Sequence, residues 1–103
     1  MTKPVRLARE ARAEVHEAAR WYGEQRPELR VEFLTAIDEA MDRLVRLARH
    51  LGSPPGIDPS LGVKRVFVKR FPFSIYFLEL PTRFRVLAVA HARRRPFYWA
   101  DRL

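Results

Sequence analysis

Six residues within nine positions near the end of the chain could do chemistry: His91, Arg93, Arg94, Arg95, Tyr98 and Trp99. Guanidinium groups fork onto phosphates and carboxylates better than ammonium groups do. An imidazole titrates near neutrality without help. A phenol, with an ordinary pKa of about 10, needs neighbouring cations before it can act as a base. Upstream, Arg65, Lys69, Ser74, Tyr76 and Arg85 lie in segments of period two. Strand parity predicts that all of these, with His91, share one open sheet face. Metal-free RNA cleavage would need a base for the 2′-hydroxyl, cations for the phosphorane and an acid for the leaving oxygen. His91 or Tyr98 could move the proton, and Arg65, Lys69, Arg93 and Arg95 could supply the charge.

Each of these residues also has a plainer reading. His91 ends a strand, where a hydrogen-bonded histidine is ordinary. Tyr98 and Trp99 could pack the C-terminal turn onto the sheet. Tyr76 could be a cross-strand packing residue. The three consecutive arginines could form a solvated cluster that meets an acidic partner or a target.

Other chemistries are excluded. The chain has no cysteine, so there is no thiol nucleophile, disulfide or cysteine zinc site. His16 and His50 fall on helices and read as structural. No metal and no cofactor are expected. There is no glycine-rich phosphate loop, and Ser74 has no evident His/Asp partners. No apolar run approaches the roughly 20 residues of a membrane helix. The first six residues run straight into charged positions, Lys3 and Arg6 among them, and lack a signal-peptide core, which predicts a cytoplasmic protein.

Charge is unevenly placed. The 103 residues carry a net charge of +8. Residues 1–62 hold ten Lys/Arg and ten Asp/Glu, whereas residues 63–103 hold ten Lys/Arg against Glu79 and Asp101 alone. The whole excess lies in the last 41 residues, and it predicts an anionic partner.

The length fits one domain over residues 1–103. Residues Pro4 to Ala8 read as a short strand. Ala11, Val15, Ala18 and Tyr22 form one helical stripe, preceded and flanked by Glu10, Glu14 and Glu17 where the helix dipole favours acids. Gly23 to Arg26 reads as a connection, and Pro27 suits the first position of a second helix. Phe33, Ile37, Ala40, Met41, Leu44 and Ala48 make that helix's apolar face. Glu39 with Arg43 and Asp42 with Arg46 are spaced as surface ion pairs. A loop follows to Gly62. Three strands come next: Val63 to Lys69, Phe71 to Leu80, and Arg83 to His91. Pro72 belongs at a strand start or edge, and Phe97 to Arg102 reads as a short helix or turn. The order is β-α-α-β-β-β. The fold class is α+β, a helical hairpin on one face of a small, mainly antiparallel sheet.

This order resembles the RelE/ParE superfamily, the toxins of type II toxin–antitoxin modules. Three features carry the resemblance. Trp21-Tyr22 closes the first helix, and Phe33-Leu34 lies in the second. Arg70-Phe71-Pro72-Phe73-Ser74-Ile75-Tyr76-Phe77 is similar to the RFPYxIxY stretch of that group. The ending from His91 through Arg93-Arg94-Arg95-Pro96-Phe97-Tyr98-Trp99 to Arg102 matches its His/Arg/Pro/Tyr-Trp pattern. The long hairpin is closer to ParE than to RelE. The resemblance implies a toxin held inactive by a cognate antitoxin with an acidic tail, in a toxin–antitoxin hetero-oligomer. ParE-type toxins act on DNA gyrase. RelE-type toxins cleave messenger RNA on the ribosome, and a non-toxic binding module of the same fold is a third outcome. The segment Phe71 to Leu80 is uncharged except for Glu79. That departs from the RelE pattern and fits a protein-binding surface, with Arg65, Lys69, Tyr76, Arg85, Arg93, Arg94, Arg95 and Trp99 as its contact residues. His91 and Tyr98 would be catalytic only in a ribonuclease.

Overall fold

The computed structural model describes residues 3–103. Strand β1 is Val5–Leu7, helix α1 Arg9–Gln25, helix α2 Pro27–Leu47, and strands β2, β3 and β4 are Val63–Phe67, Phe73–Glu79 and Phe84–His91. The four strands lie in the order β1-β4-β3-β2. β1 runs parallel to β4, and the other two pairings are antiparallel. The expected α+β order holds.

The helices form because their apolar residues recur at helical spacing. In α2, Phe33, Ile37, Ala40 and Leu44 are all buried, at i, i+4, i+7 and i+11. Helix α1 does not stop at Gly23 as expected. It runs to Gln25, and Arg26 alone joins the helices, its N–H donating to the Tyr22 carbonyl at 3.1 Å. Pro27 opens α2, where its missing N–H costs nothing. The surface pairs expected along α2 do not form. Arg43 instead turns to the sheet and donates to the Phe67 carbonyl.

The hairpin covers what is here called the back of the sheet. Val66, Ile75, Phe77, Phe84, Val86 and Val89 meet Ala11, Val15, Phe33, Ile37 and Leu44 in one core. Tyr22, Phe33, Phe71 and Phe73 make its aromatic end, with ring centroids 4.9 to 6.4 Å apart. Each such side chain contributes about 1.5–3 kcal/mol by leaving water, so this layer dominates stability.

The strands are shorter than their sequence periodicity suggested. β2 stops at Phe67 and β3 starts at Phe73, because Val68 to Pro72 make the hairpin turn. Arg70 takes the left-handed backbone there at φ 73°, and its guanidinium reaches Glu32 at 3.4 Å. Pro72 sits just before β3, with its carbonyl accepting the Ala92 N–H at 2.8 Å.

One irregularity in β4 reorders the faces. Tyr76 pairs with Ala88, but the next residue, Phe77, pairs with Val86. Leu87 is left over as a bulge, and a bulge of one residue reverses the parity of everything beyond it. Leu87 and Ala88 therefore both join the front cluster with Val63, Tyr76 and Leu78.

Candidate functional site

The front of the sheet carries Arg65 and Phe67 from β2, Ser74 and Tyr76 from β3, and Arg85 from β4. Their pairing fixes this: Arg65 lies opposite Tyr76, and Phe67 opposite Ser74. The centre of this face is not open. Trp99, 2% exposed, lies with its ring centroid 4.9 Å from that of Tyr76, packed among Ile57, Val63, Leu87 and Ala88. The segment after β4 folds back to place it there. The loop around Pro54 and Ile57 closes over the other side, and Gly56, at φ 81°, lies beside the Phe97 ring.

Between segment and sheet lies a cavity of about 250 Å³. Arg65, Ser74 and Tyr76 line it from the sheet, and Arg94, Arg95 and Phe97 from the returning segment. Among the described residues, no carboxylate lies within 4.0 Å of Arg65, Arg93, Arg94 or Arg95, since every ion pair found uses other basic residues. Arg65 stacks on Phe67 at 4.6 Å and Arg94 on Tyr98 at 3.9 Å. Stacking orients these guanidiniums without neutralising them. A concave wall of uncompensated positive charge concentrates anions.

The returning segment is held from the α1 side by an acid. Glu14 is 14% exposed at its side chain. Its Oε1 accepts the Val89 N–H at 3.0 Å and Arg102 Nη1 at 3.0 Å. Its Oε2 accepts the Tyr98 hydroxyl at 2.6 Å and Arg102 Nη2 at 3.2 Å. Arg102 Nη1 also donates to the Leu87 carbonyl at 3.0 Å. Burial, and then the Glu14 carboxylate, push the Tyr98 phenol well above its ordinary value. Burial works against the charge on Arg102, but Glu14 outweighs it and raises that pKa as well.

Of the residues singled out by sequence, Arg65, Tyr76, Arg94 and Arg95 meet around the cavity. Arg93 is exposed in the turn, its N–H donating to His91 Nδ1 at 3.0 Å. Arg85 shares the front face but pairs with Arg6 and Leu78, away from the cavity. Four expectations need correction. Lys69 lies past the end of β2 among Glu39, Asp42, Arg43 and Arg46 of α2, not with the front residues. His91 lies at the edge of the cavity, but its ring packs on Phe73 at 5.1 Å and faces Trp21 on the back, not the front residues. Tyr98 is not arranged as a base, because its hydroxyl donates a hydrogen bond to Glu14 and its pKa is raised, not lowered. Trp99 is buried and cannot itself touch a partner.

Glu14 and Arg102 were missed as site residues. A signal existed for the first: Glu14 stands three residues after Ala11 and four before Ala18, on the apolar stripe of α1. An acid in that stripe calls for a buried partner.

The arrangement binds better than it transfers protons. The cavity offers three guanidiniums and the hydroxyls of Ser74 and Tyr76, and its one strongly perturbed acid–base group, Tyr98, is locked in its neutral form. Among the described residues, no cluster of His, Asp and Glu could hold a metal ion.

No protein-family model and no curated protein matches the chain. A solved structure does. It is titled the chromosomal ParDE TA (toxin–antitoxin) system from P. aeruginosa, and one of its chains superposes with a TM-score of 0.72. The two chains share a fold. The match covers 87% of this chain and 96% of the other at 22% identity. It therefore takes in most of the α1/α2 hairpin and four-stranded sheet that position the cavity. No described helix is long and apolar enough to cross a membrane.

Proposed function

We propose that this protein is the toxin of a type II toxin–antitoxin module, of ParE type, acting in the cytoplasm on DNA gyrase and silenced by a cognate antitoxin. The observation that carries this reading is the front cavity: Arg65, Arg94 and Arg95 stand unneutralised around aromatic walls, on the fold shared with the ParDE chain. An acidic antitoxin tail would neutralise those arginines and cover Phe67 and Phe97, which are 60% and 43% exposed. Such complementarity sets partner choice and association rate more than raw affinity. The ribonuclease alternative is weakened by the locked Tyr98 and by the placement of the His91 ring behind the sheet.

The test is expression with and without the neighbouring antitoxin gene, followed by gyrase assays on the purified protein. Growth arrest relieved by the neighbour, with supercoiling blocked, is the expected result. Ribosome-dependent messenger cleavage with gyrase untouched would transfer the protein to the RelE type. Harmless overexpression would leave a binding module.

A further inference from the structure

We propose that Glu14 is a positioning residue for the cavity: it stands in for a missing strand at the edge of β4 and thereby holds the arginine-bearing wall in place. β1 pairs only with residues 84–86 of β4, so the rest of that edge has no neighbouring strand. The Ala92 N–H goes to Pro72, and Ala90 pairs with Ser74. Alternation along the ladder then turns the main chain of Val89 outward. Glu14 supplies the acceptor for Val89, and Arg102 supplies the donor for Leu87, the two roles a neighbouring strand would fill. The same carboxylate holds Tyr98. The tail thus straddles the sheet edge, with Tyr98 and Arg102 gripping Glu14 on one side and Trp99 seated on the front.

The linkage to the cavity is direct. Arg94 stacks on the Tyr98 ring at 3.9 Å, so the phenol that Glu14 fixes also fixes a guanidinium of the wall. Arg102 flanks the same ring at 5.1 Å. Loosening Glu14 frees Tyr98, and with it the placement of Arg94 and Arg95. The binding half of this proposal rests on the anion-binding reading of the cavity; the edge-capping half does not.

Two measurements on the full chain separate these halves. Hydrogen exchange reads the tail, and binding of an octaglutamate peptide reads the cavity. In Glu14→Gln, the amides of Val89 and residues 98–103 should exchange about tenfold faster, while those of Leu44 and Ile75 stay protected. The peptide should bind about three- to tenfold more weakly, because ordering the wall then falls to the ligand. Tyr98→Phe keeps the ring and its stacking but cuts its tie to Glu14, and should show a smaller change in the same direction. It also serves if Glu14→Gln does not fold. Arg65→Ala should weaken binding while leaving tail exchange unchanged. Unchanged tail exchange in both Glu14→Gln and Tyr98→Phe overturns the proposal. A loosened tail with unaltered peptide affinity overturns the positioning role. A wild-type protein that ignores the peptide overturns the anion-binding reading and the positioning role with it, while the exchange data still decide whether Glu14 caps the edge.

Discussion

The two faces of the sheet are held by different physics. The back is sealed by two helices chiefly through close-packed aromatic and branched side chains, with polar ties such as Arg43 to the Phe67 carbonyl only at its margin. The front is covered by a smaller cluster around Trp99 and by a tail held chiefly through the Glu14 carboxylate, with Arg102 also bonded to the Leu87 carbonyl. Hydrophobic packing on the back tolerates no large loss, because every residue there touches several others. The front depends on a few directional bonds, which fix geometry and can be broken one at a time. A surface meant to meet a partner is better built the second way: its walls can be well placed without carrying the fold.

The sharpest way to break this comparison is to cut one large residue from each face. Phe33→Ala should cost about 3–5 kcal/mol and lower the denaturation midpoint of the whole chain. Trp99→Ala empties a site of similar size, yet the hairpin core should survive it. Urea melts followed by circular dichroism should then show a smaller loss, with exchange rising chiefly in residues 93–103. Equal losses by both variants would mean that the faces form one cooperative layer.

A smaller effect isolates the polar grip. Tyr98→Phe removes a hydrogen bond to a carboxylate, worth about 1.5–3 kcal/mol. The pH profile sharpens the assignment. The phenol keeps its proton more tightly folded than unfolded, so its stabilisation is complete below the unfolded value of about 10. It drains away as pH rises from there toward the higher folded value. Wild type should lose stability on that alkaline limb, and Tyr98→Phe should show a shallower decline in thermal melts.

The smallest effect is at Lys69. Lys69→Ala should change stability by less than about 0.5 kcal/mol and leave octaglutamate binding as it was, since this ammonium lies beside α2. A marked loss of binding would extend the front surface around the β2–β3 turn.

Much of the architecture could be read from spacing. Apolar residues at three and four in the helices, and at two in the strands, report burial, and burial is what made the back. Arg65, Tyr76, Arg94 and Arg95 came together because strand parity and chain order bring them together. Parity failed at His91 for a definite reason: the bulge at Leu87 leaves no mark in a pattern of consecutive apolar residues from Val86 to Ala90. Tyr98 was misread because its surroundings in sequence are basic, whereas its partner in space is an acid 84 residues away. Long-range polar pairing has no periodicity to announce it. Glu14 alone left a trace, as a charge in an apolar stripe.

The surplus residue in β4 has a last consequence. By aiming Leu87 and Ala88 the same way, it widens the floor on which the indole rests, and its absorption as a bulge keeps the imidazole on the far side. A wider seat for the tail and an imidazole turned toward Phe73 thus follow from one irregularity in the strand. Deleting either Leu87 or Ala88 would narrow the indole's seat while leaving His91 opposite Phe73 on the back. How the side chains are divided between the two surfaces is set here by counting, and no change of side-chain identity could reproduce it.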